Sequence, residues 1–350
     1  MRASDFADKR LFLLSASSFA VNVRYTIAAA RLPGPCSAPL VTKLDRRAKP
    51  LTSDTLRSNR AGLGISITVL GGLCFAIQDA GIKWLSAEIA VLQILFLRSL
   101  FGLVLLRAST VITGETISLK VKRPWMLALR SVLNILSWVL FFTSLKYLPL
   151  ATAVALFFSF PLFLALISVP LLGETVGLRR ALAIVVGFVG VLLITNPANG
   201  LSSPALMMLG AALGWAIVAS MTRILGESEN TSTMLFYTLL GFAVILLVPQ
   251  YWLWRTIGID DYLILLGVAF FGVIAQFSVT KAYAIASPSL IAPFEYTALI
   301  WSALLGYLVW SDIPDLYAIA GAALIIGSGV YIIHREALLA AEQRAAKADS

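Results

Sequence analysis

Along this chain, polar and apolar positions segregate into long blocks, not single-residue alternation. From Ala61 on, ten apolar runs of about 18–24 residues are separated by short polar connections. They cover roughly 62–82, 89–106, 125–145, 150–171, 178–195, 204–224, 232–252, 261–282, 289–310 and 315–334. As a helix, each is long enough to cross a hydrocarbon core of about 30 Å. The longest connection, 107–124, is basic and holds Gly114 and Pro124, and none is large enough for a soluble domain. The pattern predicts an all-α polytopic membrane protein with ten transmembrane helices.

Within these runs the polar residues fall on faces. In the ninth, Glu295, Ala298, Ser302 and Gly306 lie within about 60° of one another on a helix, and Ile300, Leu304 and Leu308 lie opposite. A small polar face for neighbours and a bulky one for lipid is the expected reading. A carboxylate there costs a few kcal/mol, so it needs a structural partner or serves substrate or proton; both readings stay open. In the third run, Arg130, Asn134, Ser137, Trp138 and Phe141 share a face, which must look into protein or water. The eighth run places Gly272, Gln276, Thr280 and Tyr283 together. The first offers Phe75, Gln78 and Asp79, and the sixth Trp215.

These faces are expected to converge on a central cavity, where aromatic rings beside amides suit a flat heterocycle or an amino-acid backbone. Interhelical hydrogen bonding is the alternative for Asn134 and Gln276. The candidate substrate-binding residues are Phe75, Gln78, Arg130, Asn134, Trp138, Trp215, Gln276, Glu295 and Tyr296. Asp79, Arg98 and Glu295 are the candidates for charge coupling. Asp79 with Lys83 one turn later also reads as an intrahelical pair. Arg130 is placed to pair with Glu295 or to face an anionic substrate group. Trp252, Trp254 and Trp310 read as interfacial belt residues. Gly187, Gly190, Ala323 and Gly327 read as packing positions. Pro161, Pro170 and Pro293 are candidate helix breaks, the last beside Glu295.

Composition agrees with the membrane reading. The chain is 59% hydrophobic and 13% charged, whereas soluble domains carry about 45–50% apolar and about 25% charged residues. The net charge of +9 is a topology signal and not a nucleic-acid footprint. With the N-terminus inside, 22 of the 27 Lys and Arg fall on the inner side, three fall outside, and Arg98 and Arg130 lie within spans. Both termini are therefore expected to be cytoplasmic. Residues 1–60 hold 11 Lys and Arg, four Asp and no Glu. They are expected to form a basic, disordered cytoplasmic tail, or to lie upstream of the true start; a transit peptide is the lesser alternative. Residues 336–350 are expected to be a second cytoplasmic tail. Cys36 and Cys74 lack paired spacing, so neither a disulfide nor a metal site is expected.

The two halves resemble each other. Leu73–Leu85 aligns with Leu213–Leu225, with Ala76-Ile77 on Ala216-Ile217 and Lys83 on Arg223. Gly173-Glu174 falls on Ser311-Asp312, Gly190-Val191 falls on Gly329-Val330, and Phe157 falls opposite Glu295. Residues 61–195 and 196–335 would then be two repeats of five spans. An odd number of spans makes the second copy inverted, with a pseudo-two-fold axis in the membrane plane. Secondary transporters use this construction, with substrate bound between the repeats near mid-membrane.

Several motifs carry a family resemblance. They are Phe75-Ala76-Ile77-Gln78-Asp79 with Lys83, Arg98 in LFLRSLFGL, Leu172-Gly173-Glu174, Ala292-Pro293-Phe294-Glu295-Tyr296-Thr297, and Gly306-Tyr307 through Asp312-Ile313-Pro314. Over about 61–335 the chain resembles the drug/metabolite transporter superfamily, in its bacterial branch built from two EamA domains. The resemblance implies a ten-helix carrier of small organic metabolites in a bacterial inner membrane. Family substrates include amino acids, S-adenosylmethionine, riboflavin and drugs. The wording of the first and ninth spans looks closest to riboflavin or S-adenosylmethionine carriers. The pair Ser311-Asp312 departs from the usual Gly-Glu but keeps the charge.

Other classes fare worse. The chain has no H-E-x-x-H and no G-x-x-x-x-G-K-[ST], and its single histidine, His334, ends the last span. An enzyme is not expected, and no cofactor is implied. Without an ATP site, transport would be driven by a proton, another gradient or an exchanged metabolite. A non-transporting receptor or scaffold is the remaining alternative. Expected partners are the small-molecule substrate and the bilayer.

Overall fold

A computed structural model describes residues 53–350 apart from 115, 173–177, 197–201, 227, 286–287 and 349–350. The N-terminal tail, Cys36, the Gly173-Glu174 pair and the Tyr283 side chain lie outside the described residues. The described residues fold into helices with no strand. In hydrocarbon, backbone polar groups must be satisfied within each segment, which selects helices for apolar runs of this length.

In chain order the helices are α1 (Ser53–Leu85), α2 (Val91–Thr113), α3 (Pro124–Leu145), α4 (Leu150–Phe157), α5 (Phe160–Leu172) and α6 (Leu178–Thr195). The second half holds α7 (Ser203–Leu225), α8 (Thr231–Leu253), α9 (Ile259–Ile285), α10 (Pro288–Glu295), α11 (Thr297–Trp310) and α12 (Leu316–Ala348). Among the described residues, eight segments are long and apolar enough to cross a membrane, and Ala181–Thr195 is a shorter apolar helix. The remaining apolar run, 289–310, is split between α10 and α11. The protein is thus a polytopic all-α membrane protein.

Two of the runs read as spans are broken. The fourth breaks between α4 and α5, and the ninth between α10 and α11. Pro161 explains the first break. It has no N–H to donate, and its ring would collide with the carbonyl of Phe157, where α4 ends. At the second, Pro293 stays inside α10, and the chain turns at Tyr296 three residues later. There the Thr297 hydroxyl donates to the Phe294 carbonyl at 2.6 Å, which satisfies an acceptor close to the turn. The breaks correspond. The shift that carries Leu150 onto Pro288 also carries Phe157 onto Glu295, the last residue of each short helix.

Helix packing follows the same five-span shift. α3 packs on α7 and on α8, and α9 packs on α2. Gly71 and Gly81 of α1 lie against Ser278 and Val268 of α9, the counterpart of Gly210 and Gly214 of α7 against Leu140 and Ser137 of α3. α4 and α5 pack on α7, while Gly72 of α1 meets Thr297 and Ala298 of α11. Three pairs of spans map onto themselves: α2 with α8, the fourth with the ninth through α4 and α11, and α6 with α12.

Small residues set the closest approaches. A methyl group at Gly190 would fall 2.6 Å from the Gly321 carbonyl oxygen, so α6 and α12 touch backbone to backbone. Gly187 is as tight against Leu162, whereas Gly327 has no neighbour within 4 Å and serves no such role. The ninth span buries Ala298, Ser302 and Gly306 and exposes Ile300, Leu304 and Leu308. This is the lipid-facing division that its helical periodicity predicts.

Candidate functional site

Gln78, Asp79 and Arg98 form a polar relay inside the bundle. Arg98 sits near the middle of the Val91–Val111 span. Its Nη2 donates to Gln78 Oε1 at 2.7 Å, and Gln78 Nε2 donates to Asp79 Oδ1 at 3.1 Å. Gln78 is fully buried, and Asp79 is nearly so. A charge at this depth costs about 3 kcal/mol or more unless it is compensated. One amide meets that need twice, its oxygen facing the cation and its nitrogen the carboxylate. Gly272 of α9 makes the room. A methyl group there would overlap Gln78 Oε1 and lie 3.2 Å from Arg98 Nη2.

The relay opens onto aromatic rings. The Arg98 guanidinium carbon lies 5.8 Å from the centre of the Trp138 ring, within cation–π range. Trp138 meets Trp215 of α7 edge-on at 5.5 Å and stacks on Phe142 at 5.2 Å. Phe157, the last residue of α4, packs against Phe141 at 4.9 Å and reaches Trp215 at 6.2 Å. Helices α1, α2, α3, α4, α7 and α9 thus meet at one mixed polar and aromatic cluster. Trp138 and Trp215 are half-buried, so their rings remain accessible.

Arg130 takes a different place. Its Nε donates to the Thr222 hydroxyl at 2.7 Å, and its Nη1 donates to the Thr238 hydroxyl at 2.9 Å. Those threonines belong to α7 and α8, so Arg130 ties three helices together. Asn134, one turn on, is buried. Phe75 and Gln276 are half-buried. Thr280 is exposed and donates back to the Gln276 carbonyl at 2.8 Å.

At the break in the ninth span, Glu295 is half-buried. Tyr296 is buried, with its ring 4.8 Å from that of Phe158 at the opposite break. The Tyr296 hydroxyl abuts Gly329 of α12. It and the Ser159 hydroxyl are buried with no hydrogen-bond partner, one at each break, as is the Ser302 hydroxyl of α11. Each such group costs about 1–3 kcal/mol.

Lys83 corrects one expectation. It does not settle on Asp79 a turn earlier. Its ammonium reaches Asp312, 3.8 Å away beyond the end of α11, and donates to the Leu148 carbonyl. The Trp310 ring lies 5.1 Å from the same nitrogen, so Trp310 serves this cluster as well as any interfacial belt. The reason is burial: Asp79 is already engaged by Gln78, while Lys83 sits near the helix end where three connections meet. The contact ties the end of α1 to the α3–α4 connection and to the end of α11.

Phe158 of the Phe157-Phe158-Ser159-Phe160 run lies at the break without having been singled out from sequence, and Phe157 and Asp312 were marked there only as alignment and motif positions, not as site residues. Four residues carrying three aromatics, just ahead of Pro161, were the available signal. Among the described residues no group of His, Cys, Asp and Glu is placed to hold a metal ion.

Comparison with known proteins agrees with this architecture. The model of the EamA-like transporter family matches residues 62–196 and again 202–334. The chain is 28% identical over 287 residues to the S-adenosylmethionine uptake transporter of Rickettsia bellii, covering 81% of this chain and 97% of that protein. It is 29% identical over 272 residues to the riboflavin transporter of Vibrio cholerae, covering 76% and 91%. It is 27% identical over 267 residues to the pseudopaline exporter CntI of Pseudomonas aeruginosa, covering 75% and 93%. A solved crystal structure superposes with a TM-score of 0.53 at 18% identity, covering 78% of this chain and 95% of the other, which supports the fold.

Proposed function

The chain belongs to the EamA-like transporter family, and from that premise we propose that it carries a small zwitterionic metabolite by alternating access through the Gln78–Arg98–Trp138 cluster. It is a membrane transporter of small metabolites and not an enzyme. The observation that carries the proposal is a guanidinium near mid-membrane, linked through one amide to a carboxylate and faced by two accessible indole rings. Substrate sites of inverted-repeat carriers lie at that depth, between the repeats.

S-adenosylmethionine is our leading substrate. It combines a flat ring system, a carboxylate, and two positive charges on its ammonium and sulfonium. Trp138 and Trp215 offer faces for the ring or the sulfonium. Arg98 offers a partner for the carboxylate, and Asp79 and Glu295 offer partners for the cations. Arg130, held by two threonines, is assigned to the scaffold. Riboflavin is the alternative that the Vibrio relative favours; it would use the rings. The 62–196 and 202–334 segments are the two rocking units. The Lys83–Asp312 contact closes the outer side, and both termini face the cytoplasm of a bacterial inner membrane. A proton on Glu295 or an exchanged metabolite supplies the driving force.

Counterflow in proteoliposomes tests the proposal. Labelled S-adenosylmethionine is expected to enter vesicles preloaded with the unlabelled compound, and Trp138→Ala is expected to raise the half-saturating concentration about tenfold. Counterflow of riboflavin but not S-adenosylmethionine would replace the substrate. Absence of counterflow with every candidate, amino acids included, would favour a receptor or scaffold.

A further inference from the structure

A second site lies on the lipid-facing side of the bundle, away from the cluster above. A groove of about 610 Å³ runs between α3 and α8 under the segment 119–124. Its floor is made of small residues, Ala128 and Ser131 on α3 and Gly241 on α8. The Ser131 hydroxyl is engaged by the Leu127 carbonyl at 2.9 Å, so the floor offers no free donor. The walls are Val132, Leu240 and Val244. Val132 and Val244 are 49% and 60% exposed, so the groove opens to the surface that lipid tails cover.

The mouth of the groove has a different chemistry. In the segment Leu119-Lys120-Val121-Lys122-Arg123-Pro124, the apolar members Leu119, Val121 and Pro124 line the groove. The intervening Lys120, Lys122 and Arg123 are all exposed. Trp125 follows at 81% exposure, the position of an indole at the headgroup level.

The segment is also fixed in place by the start of α8. Asn230 Nδ2 donates to the Thr116 carbonyl at 2.8 Å, and the Ser118 N–H donates to the Thr233 hydroxyl at 2.9 Å. The Tyr237 hydroxyl donates to the Leu119 carbonyl at 3.0 Å, and the Lys122 N–H donates to Glu229 at 2.6 Å. Three cations are thus held in one register over the apolar groove.

We propose that this groove is a binding site for an anionic phospholipid, with one acyl chain between α3 and α8 and the phosphate on Lys120, Lys122 and Arg123. Basic residues at the membrane surface over an apolar cleft between helices are the physical requirements for such a site. Cations that act only as topology signals need neither the slot nor the clamp. The site is independent of the transported substrate.

Native mass spectrometry of the full chain, exchanged into mixed micelles of phosphatidylglycerol and phosphatidylethanolamine, tests this. The wild type is expected to retain phosphatidylglycerol at least fivefold over phosphatidylethanolamine. The triple variant Lys120→Ala, Lys122→Ala, Arg123→Ala is expected to lose that preference, because the backbone clamp does not use these side chains. Val132→Trp, which fills the slot from an exposed position, is expected to reduce bound lipid of both kinds severalfold, with the thermal midpoint checking that the variant is folded. Equal retention of the two lipids by the wild type, or an unchanged preference in the triple variant, overturns the proposal. So does efficient disulfide crosslinking of two copies through Val244→Cys in native membranes, which would make the face a protein interface.

Discussion

The two broken helices, one in each half, share a backbone design and differ in chemistry. Each begins with a helix of eight residues, Leu150–Phe157 and Pro288–Glu295, and they occupy corresponding places under the five-span shift. The first ends on an aromatic ring packed among Phe141 and Trp215. The second ends on a carboxylate. Each break leaves one buried hydroxyl without a partner, Ser159 in one and Tyr296 in the other. The scaffold therefore demands a break at each place but not a charge. In the proposed mechanism the end of each short helix serves the transported molecule, with an aromatic ring in one half and a carboxylate in the other.

The sharpest challenge to this contrast is Glu295→Gln against Phe157→Leu. The first is expected to lower the maximal uptake rate at least tenfold and to flatten its dependence on pH. The second is expected to leave the rate within about threefold and to raise the half-saturating concentration, since ring contacts contribute about 0.5–1.5 kcal/mol each. Equal effects on the same parameter, read in proteoliposomes, would erase the distinction.

Next in size is Asp312→Asn. The ion pair with Lys83 is 3.8 Å long and partly shielded, so its loss is expected to be worth about 1 kcal/mol, or roughly fivefold in the balance between open and closed states. Faster thiol labelling of a Leu148→Cys probe would report it; an unchanged rate would remove the contact from the closure. The smallest effect belongs to Ser159→Ala. Deleting an unpartnered buried hydroxyl is expected to raise the thermal midpoint by a degree or two without loss of uptake. A marked fall in uptake would instead show that the hydroxyl meets substrate.

Sequence made the spans legible because segment-long hydrophobicity is a coarse and redundant signal. It also located the polar faces, since the 3.6-residue period places Arg130 with Asn134 and Ala298 with Ser302 and Gly306 regardless of neighbours, although the break at Tyr296 takes Glu295 off that helix. Partners across helices were not legible in the same way. Lys83 pairs with Asp312, distant in sequence, and Arg130 with Thr222 and Thr238 on two other helices. No periodicity within one span encodes such contacts. Even the aligned Phe157 and Glu295 revealed a shared position but not a shared break, because Pro161 interrupts one helix ahead of the proline and the other turns after Pro293.

The contact between Gly190 and Gly321 has a mechanical meaning. Main chain rests on main chain there, with the side chains of Ile194, Leu324 and Ile325 packed beside it. The two halves cannot be pressed closer along α6 and α12. A single methyl added at either glycine would force the two main chains apart, so the seam between the halves at α6 and α12 admits no larger residue at these two positions.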